Sequence, residues 1–254
     1  MLLAIDAGNT NITLGLFSDE ELVVQWRLGT EQDKTSDDYA ARLKDLFSSA
    51  GINLKEVRGV VIASVVPPLN PLLQRAAEAN FHLTPLFVDH ANAGLKIVYD
   101  QPSDLGADRI VDAVAAVAKY GAPCVVVDFG TATTFNAINA NGEFIGGAIS
   151  PGLKTCADAL FFRTAKLPRV EFAPPEKVIA TSTIGAIQSG LYHGYAGLVD
   201  GILKRMLEAM DGNARVIATG GLASLIADAS QYIEKVDQDL TLNGLRLIYE
   251  KIVN

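Results

Sequence analysis

The clearest fold signal in the chain is the stretch Leu2-Leu3-Ala4-Ile5-Asp6-Ala7-Gly8-Asn9-Thr10, an apolar run that ends in an acidic, glycine-containing turn. Two more apolar stretches follow, from Ile12 to Phe17 and from Leu22 to Trp26, separated by the polar turn 18–21. Short apolar runs bounded by turn residues are typical of strands. The first 26 residues therefore predict a strand, a polar turn and two further strands.

The same arrangement occurs again in the second half of the chain. The apolar run 124–127 ends in Asp128-Phe129-Gly130-Thr131-Ala132-Thr133-Thr134, and two more strand-like stretches follow it. A shift of 122 positions places Asp6 on Asp128 and Gly8 on Gly130. A unit that recurs at a long period indicates an internal duplication. We therefore expect two similar domains.

The segments between and after these units alternate between helical and strand patterns. Helices are predicted over 36–50, after Pro71, over 110–118, over 191–210 and from Leu222; strands are predicted over 57–65, 86–88 and 216–218. Such alternation favours α/β sheets with crossover helices. Because the helix 110–118 ends in Lys119-Tyr120-Gly121, we place the domain boundary there and predict domains of residues 1–119 and 120–254.

Composition excludes several classes of protein. The 254 residues carry 21 Lys and Arg against 29 Asp and Glu, a net charge of −8, and 49% of them are hydrophobic. A chain this apolar and this weakly charged is globular rather than disordered. Phosphate backbones are bound by clustered Lys and Arg, so an acidic chain is not expected to bind nucleic acid.

The chain also lacks the sequence marks of membrane insertion and of secretion. Its apolar runs, such as 60–66, are far shorter than the roughly 18 residues that span a bilayer. The first residues carry no basic segment and reach Asp6 early, unlike a signal peptide. Cys124 and Cys156 do not form a CxxC pair, which favours two reduced thiols. We therefore predict a cytoplasmic protein with no membrane partner.

Both Asp-x-Gly turns lack a nearby cation. No Lys or Arg occurs in residues 1–26 or 120–153, which excludes a Walker-type lysine. Glycine lets backbone N–H groups approach an anion, and neutral hydroxyl and amide groups can bind phosphate oxygens. Candidates of this kind are Asn9, Thr10, Asn11 and Thr13 in the first turn, and Thr131, Thr133 and Thr134 in the second.

Each strand-end Asp would repel phosphate unless a cation lies between the two. Hard cations such as Mg²⁺ prefer oxygen ligands, so a metal could bridge carboxylate and phosphate. The alternative is that each turn merely starts a hairpin, with the Asp capping its own turn. Because the unit occurs twice at matching places, we prefer the interpretation that the two loops bind phosphate.

A further candidate is the pair Asp108-Arg109, which opens the predicted helix 110–118. Asp is a preferred N-cap residue, so Asp108 could act only as a cap. Arg109 is unfavourable for the helix dipole and is not explained by capping. Together the two offer a general base for a hydroxyl and a cation for a carboxylate or phosphate.

Two other features carry less information. Thr219-Gly220-Gly221 is a third glycine turn, equally compatible with an approach to adenosine and with an ordinary strand-to-helix turn. The three histidines show no zinc-ligand spacing, and we interpret them as surface or loop residues.

In combination the motifs resemble the type III pantothenate kinases of the acetate kinase/sugar kinase/heat-shock 70/actin superfamily. The resemblance is carried by residues 6–10, 106–109, 128–133 and 146–152, and by Thr183 with residues 186–190. It implies duplicated ribonuclease H-like (actin-like ATPase) domains, each a mixed sheet that starts with a β-hairpin meander and is flanked by helices.

The resemblance also implies roles for individual residues. ATP would be bound by Asp6, Ala7, Gly8, Asn9, Thr10, Asn11, Ile12, Thr13 and Thr131, and a monovalent cation, K⁺ or NH₄⁺, by Asp128. Pantothenate would be surrounded by Tyr99, Gly106, Ala107, Asp108, Arg109 and Thr183, with Asp108 as proton acceptor. The chain departs from the family at Ser182, where Asn is expected; serine still offers a hydroxyl.

The implied activity is ATP-dependent phosphorylation of pantothenate to 4′-phosphopantothenate, the first step of coenzyme A biosynthesis, with Mg²⁺ as a further cofactor. Two alternatives are a related kinase with a sugar or acetate acceptor, and a non-catalytic transcriptional accessory protein. The resemblance also implies a homodimer. The stripe Tyr192, Tyr195, Leu198, Ile202 and Leu203 could lie at its interface or pack within the chain.

Overall fold

A computed structural model describes residues 1–253. The first half contains strands β1 (Leu2–Ala7), β2 (Asn11–Ser18) and β3 (Glu21–Gly29), helix α1 (Ser36–Ser49), strand β4 (Gly59–Ser64), helix α2 (Asn70–Phe81) and strand β5 (Leu86–Phe87). These strands form a sheet in the order β3-β2-β1-β4-β5. β1 runs antiparallel to β2 and parallel to β4, so the sheet is mixed.

The second half repeats this topology. After helix α3 (Ala107–Tyr120) come β6 (Cys124–Phe129), β7 (Ala132–Ile138), β8 (Phe144–Pro151), α4 (Leu153–Arg163), α5 (Thr183–Ala209), β9 (Arg215–Thr219), α6 (Ala223–Ala227), β10 (Lys235–Val236) and α7 (Leu240–Val253). Their sheet has the order β10-β9-β6-β7-β8, with β6 antiparallel to β7 and parallel to β9. Strand for strand this is the order of the first sheet, so the predicted duplication of a mixed α/β sheet is confirmed.

The two hairpin loops differ in length. Asp6 pairs with Thr13 across the first hairpin, whereas Asp128 pairs with Thr134 across the second. The second loop is therefore one residue shorter. The shift of 122 positions aligns the two Asp-x-Gly turns and the ends of the third strands, Gly29 and Pro151, but the second strands differ by one residue.

The described chain divides into two compact units. The first contains Met1–Leu95, Asp100–Ala115 and α7, and the second contains Lys96–Tyr99 and Ala116–Asp239. The sequence predicts a division between residues 119 and 120; the structure draws it within α3, and it assigns the C-terminal helix to the first unit.

The reason for this assignment is that α7 packs on the first sheet. α7 contacts β1, β2 and β4. Gly15 and Gly244 leave the room: a Cβ on Gly15 would lie 2.8 Å from Leu242, and one on Gly244 would lie 2.8 Å from the Val111 side chain. The Thr241 hydroxyl donates to Asp112 Oδ1 on α3 at 2.7 Å. Sequence periodicity reveals an apolar helix face but not which sheet it covers.

Each unit has its own core. In the first, β1 and β2 side chains such as Ile5 and Leu14 pack with α1 and α2 around Phe47. A capping box at Thr35 and Asp38 fixes the start of α1. In the second, Val125, Val127 and Phe129 of β6 share a core with residues of α5. Burial of these apolar side chains is the main favourable contribution to folding.

The helices of the second unit differ from prediction at two places. α5 starts at Thr183, eight residues before the predicted helix, because the Ser182 side chain caps it by accepting from the Gly185 amide at 3.1 Å. Glycines 185 and 190 weaken the apolar pattern over this start. α4 was not predicted at all. Of the stripe on α5, Tyr195 and Leu203 are buried in the core, which shows intramolecular packing.

Among residues 1–253 there is no helix of the length and hydropathy needed to traverse a bilayer.

Candidate active site

The first Asp-x-Gly loop is held shut by hydrogen bonds within the first unit. The Gly8 amide donates to the Asn11 carbonyl at 2.9 Å. The Thr30 hydroxyl donates to the Gly8 carbonyl at 2.6 Å, and the Thr30 amide donates to the Thr10 carbonyl at 3.0 Å. The Gly8 amide is therefore engaged in the turn, and phosphate binding falls to the exposed part of the loop.

The side chains predicted to bind ATP divide by exposure. Asn9, Thr10 and Asn11 are exposed, and Asp6 and Thr13 are half-buried. Ala7 and Ile12 are buried in the core, so their side chains cannot reach a nucleotide in this structure. The structure thus limits the candidate side chains to the polar members of the loop.

Sequence reasoning missed Thr30, which closes this loop. The duplication could have found it: in the second unit the Gly152 amide donates to the Thr131 carbonyl at 3.2 Å, the same bond that the Thr30 amide makes to Thr10. Thr30 and Gly152 are 122 positions apart, the period of the repeat. In each unit the residue after the third strand fastens the loop.

Asp108 lies at the same edge of the first sheet as this loop. β1 and β4 are parallel, so their carboxyl ends coincide, and the Val65 amide donates to the Ala7 carbonyl at 3.1 Å. A Cβ on Gly106 would lie 3.3 Å from the Val65 side chain and 2.5 Å from Asp108 Oδ1. A continuous path of contacts therefore joins the first loop to the Asp108 carboxylate.

The helix start shows that Asp108 is not the N-cap residue of α3. The Gly106 carbonyl accepts the first helical bond, from the Ile110 amide, and α3 begins at Ala107. Asp108 thus lies in the first turn, and its Oδ1 accepts from the Arg109 amide at 2.7 Å. Arg109 itself is buried.

Burial raises the pKa of the Asp108 carboxyl above its usual value of 3.8, against the opposing effect of the Arg109 amide and guanidinium. The side chain keeps some accessible surface, yet protein atoms surround the carboxyl group closely. A carboxylate of raised pKa beside a cation has the chemistry of a general base.

In the second unit three glycines lie close to the second loop. A Cβ on Gly130 would lie 3.3 Å from Asp128 Oδ2, and one on Gly152 would lie 2.6 Å from the Gly130 carbonyl oxygen. Gly220 has φ +91° and lies so close to Asp128 that a Cβ would collide with its carboxylate and with the Phe129 backbone. The third glycine turn therefore abuts the second loop, because β6 and β9 are parallel neighbours.

Not all the threonines of the second loop can face a phosphate. Thr131 is exposed, but Thr133 and Thr134 are buried. The Thr133 hydroxyl lies 2.5 Å from the Tyr195 hydroxyl, and Thr134 Oγ1 accepts from Asn136 at 3.4 Å. Thr133 and Thr134 therefore do not face solvent in this structure, since β7 is buried from Thr133 to Ile138, and Thr131 is the exposed candidate of the three.

Two predicted pantothenate ligands belong to the second unit. Tyr99 is 38% exposed and packs edge-on against Phe144, with ring centroids 6.2 Å apart. Thr183 is exposed at the first position of α5. Ser182, the departure from the family pattern, serves as the cap of that helix.

The Asp128 carboxylate is of the chemistry that a hard cation prefers as a ligand. Gly220 and Gly130 approach it so closely that a Cβ on Gly220 would collide with it. Among residues 1–253 no three His, Cys, Asp or Glu side chains form a metal-binding cluster. Mg²⁺ commonly binds one or two carboxylates together with substrate phosphates, so it needs no such cluster.

Comparison with known proteins identifies the family of the chain. The family model for type III pantothenate kinase matches residues 2–205. A type III pantothenate kinase from Geobacter sulfurreducens is 50% identical over 252 residues, covering 99% of each chain.

Solved structures show the same fold at low identity. A candidate Baf family transcriptional activator from Campylobacter jejuni superposes with a TM-score of 0.59 at 19% identity, covering 98% of both chains. An activator of 2-hydroxyisocaproyl-CoA dehydratase from Clostridium difficile, solved with bound ADPNP, superposes with a TM-score of 0.54 at 13% identity, covering 99% of this chain and 96% of that one. With these likenesses the predicted duplicated actin-like ATPase fold is confirmed.

Proposed function

The chain belongs to the type III pantothenate kinases, and from this premise we propose that it transfers the γ-phosphoryl group of ATP to the primary hydroxyl of pantothenate. The observation that supports this reaction best is the path of contacts from the first loop through Val65 and Gly106 to Asp108. This path supports the proposal because a nucleotide bound at the loop and a hydroxyl at Asp108 would then lie at one edge of the first sheet, as the transfer requires.

Asp108 is the proton acceptor in this proposal. Its carboxylate orients the hydroxyl of pantothenate and takes its proton as the oxygen attacks phosphorus. Arg109 holds the acidic substrate, with Tyr99, Gly106, Ala107 and Thr183 as further contacts. Such transfer needs mainly positioning and charge stabilisation, because the transition state is loose.

The two loops hold the nucleotide. We propose that the phosphates are bound by polar side chains of both loops: Asp6, Asn9, Thr10 and Asn11 of the first and Thr131 of the second. The remaining residues of 6–13 would contribute backbone groups. Asp128 would hold K⁺ or NH₄⁺, and Asp6, at the end of β1, is the candidate carboxylate for Mg²⁺ bound with the phosphates. The cations, when bound, supply the positive charge that loops without Lys or Arg lack.

The experiment that tests the activity is a panel of acceptors with ADP release as the readout. Pantothenate, a hexose, N-acetylglucosamine and acetate are each offered with ATP, Mg²⁺ and K⁺. We expect turnover with pantothenate and a product of one added phosphate by mass spectrometry. Turnover with a sugar or acetate and none with pantothenate would contradict the proposal.

A non-catalytic transcriptional role is less compatible with the chain. The net charge of −8 opposes DNA contact. The likeness to the Campylobacter protein, at 19% identity, concerns the fold alone. A gel-shift assay that showed tight DNA binding at physiological salt would favour this role.

We also propose a homodimer, supported by the glycine face of α5. Gly190, Gly194, Gly197 and Gly201 recur at helical spacing opposite the buried face of the helix. Apart from the backbone of the helix itself and the adjoining residues, no atom of residues 1–253 lies within 4 Å of a Cβ built on Gly190, Gly194 or Gly197. Each interior glycine costs helix stability of about 1 kcal/mol relative to Ala, which packing within the second unit does not explain. A second copy of the chain that approaches this face closely would explain it.

Exposed apolar side chains extend the surface available to a partner near the start of the same helix. Ile184 is 51% exposed and Ile179, in the preceding segment, is 86% exposed. Contiguous apolar exposure marks interaction sites.

We place the working enzyme in the cytoplasm, where ATP is available and its cysteines stay reduced.

A further inference from the structure

A buried tyrosine lies behind the second loop. Tyr195 is on the buried face of α5 and is 4% exposed. Its hydroxyl donates to the Pro151 carbonyl at 3.0 Å and lies 2.5 Å from the Thr133 hydroxyl. A phenol has one proton to donate, so the Thr133 hydroxyl must be the donor to Tyr195. The two bonds form one directed chain from Thr133 through Tyr195 to Pro151.

The three partners of Tyr195 lie on the three strands next to the second loop. Phe129, whose ring centroid lies 6.5 Å from that of Tyr195, directly precedes Gly130. Thr133 is two residues after Thr131, and Pro151 directly precedes Gly152, whose amide donates to the Thr131 carbonyl. One side chain therefore contacts the base of the loop on β6, β7 and β8.

Other contacts also restrict the second loop. The Thr155 hydroxyl donates to the Thr131 carbonyl at 2.8 Å, so the start of α4 fastens the same peptide. Gly152 is packed too tightly against Gly130 and Thr131 for a side chain. A displacement of Pro151 would thus be transmitted to Gly152 and through its hydrogen bond to Thr131.

We propose that Tyr195 is a positioning residue for nucleotide binding, which holds Thr131 and Gly130 in place through Thr133 and Pro151 without contacting ATP itself. This inference rests on the proposed function in that the second loop binds the ATP phosphates. Thr183 is on the same helix but twelve residues, or about 18 Å, away. Loss of the Tyr195 hydroxyl is therefore expected to affect ATP rather than pantothenate.

The test is Tyr195→Phe, which removes the hydroxyl and keeps the ring. It leaves the Pro151 carbonyl and the Thr133 hydroxyl buried without this partner. We expect this loss to weaken nucleotide binding about tenfold. We expect the KM for ATP, and the Kd for ADP measured by calorimetry without acceptor, to rise about tenfold. The KM for pantothenate should stay within about twofold. Tyr192→Phe, the same change one turn earlier on α5, is the matched control.

A second pair of variants separates positioning from general loosening. Thr133→Val removes the donor and should reproduce the rise in the Kd for ADP, while Thr133→Ser keeps it and should restore binding close to wild type. An unchanged Kd for ADP in Tyr195→Phe, or equal rises in both KM values, would overturn the inference. If Tyr195→Phe did not fold, the contrast between Thr133→Val and Thr133→Ser would decide. Because nucleotide binding is measured without pantothenate, failure of the proposed acceptor would be seen separately.

Discussion

At the scale of single residues, Asp108 combines three properties that a base for a hydroxyl requires. Its carboxylate is fixed by the Arg109 amide, lies beside a buried cation, and is held close to the sheet edge that bears the first loop. Gly106 makes this approach possible, since a Cβ there would lie 2.5 Å from Asp108 Oδ1. This geometry supports the proposed role of Asp108 as the base.

Asp108→Asn should abolish most of the activity and leave the fold intact. Asn keeps an oxygen to accept the Arg109 amide but cannot take a proton, so kcat should fall by roughly 10²- to 10⁴-fold. Steady-state kinetics with ATP and pantothenate measure the loss, and Asp104→Asn, an exposed neighbour, is the control. Near-normal turnover of Asp108→Asn would show that another group accepts the proton.

The raised pKa of Asp108 predicts the pH dependence of both activity and stability. The base must be ionised, so the acid limb of kcat/KM should lie above the usual 3.8. Because the folded state binds this proton more tightly, its contribution to stability is lost as pH rises through 3.8 to the folded pKa. At pH 7 Asp108→Asn should therefore have a Tm at or above that of wild type, with the difference shrinking as pH falls. A lower Tm at pH 7 would contradict this assignment.

At the scale of elements, the loops are shaped by the strand ends and helix starts next to them. In the second unit β8 ends at Pro151, α4 begins at Leu153, and Gly152 between them packs on the loop carbonyls. Gly152 lies more than twenty residues from the Asp-x-Gly motif in sequence, so its contacts with the loop are not local to the motif. The element junction, rather than the motif alone, fixes the position of Thr131.

Gly152→Ala should weaken nucleotide binding. The added Cβ would lie 2.6 Å from the Gly130 carbonyl oxygen, so the loop backbone must shift, and we expect the KM for ATP to rise about tenfold or more with some loss of Tm. Gly29→Ala, at the end of β3 where a Cβ would meet nothing within 4 Å, should change neither. Equal kinetics for the two variants would show that Gly152 does not support the loop.

The glycine face of α5 allows a test of the homodimer. Gly194→Leu adds a bulky side chain to the proposed contact and should reduce the mass measured by light scattering to that of one chain. Lys44→Leu, on the exposed surface of α1, is the control and should leave the dimer intact. If Gly194→Leu kept the dimer mass, the face would have to be free or the interface elsewhere.

At the scale of the whole molecule, the acidic balance has a consequence for catalysis. With a net charge of −8 and no Lys or Arg in residues 1–26 and 120–153, the loops cannot neutralise a triphosphate by themselves. In the proposed function, bound cations supply this charge. We therefore expect the dependence on cations to follow from the overall charge distribution as well as from Asp128.

Activity should vanish without a divalent ion and fall steeply when K⁺ and NH₄⁺ are replaced by Na⁺. Asp128→Asn should weaken the apparent affinity for K⁺ by at least about tenfold, the smaller of the effects found when even an outer-shell partner of a metal is removed. Titration of each salt at constant ionic strength measures this. Full activity in a sodium-only buffer would contradict the role of Asp128.

Much of the fold could be predicted because local sequence patterns specify it. Apolar runs that end in Asp-x-Gly-x-Thr specify the hairpins, their recurrence specifies the duplication, and Asp108-Arg109 stands out because capping does not account for its arginine. These signals arise from backbone preferences and side-chain chemistry within a few residues. For that reason the sequence alone was sufficient for the two sheets and for the candidate base.

Tertiary structure decided what depends on contacts between distant segments. Parallel pairing of β6 with β9 brings Gly220 to Asp128, packing on the first sheet assigns α7 to the first unit, and burial of β7 turns Thr133 toward Tyr195 instead of toward solvent. Periodicity shows that a face is apolar but not which face covers it. The sequence thus determined the loops and their chemistry, while long-range packing determined which of their hydroxyls remain exposed and which side chains hold them in place.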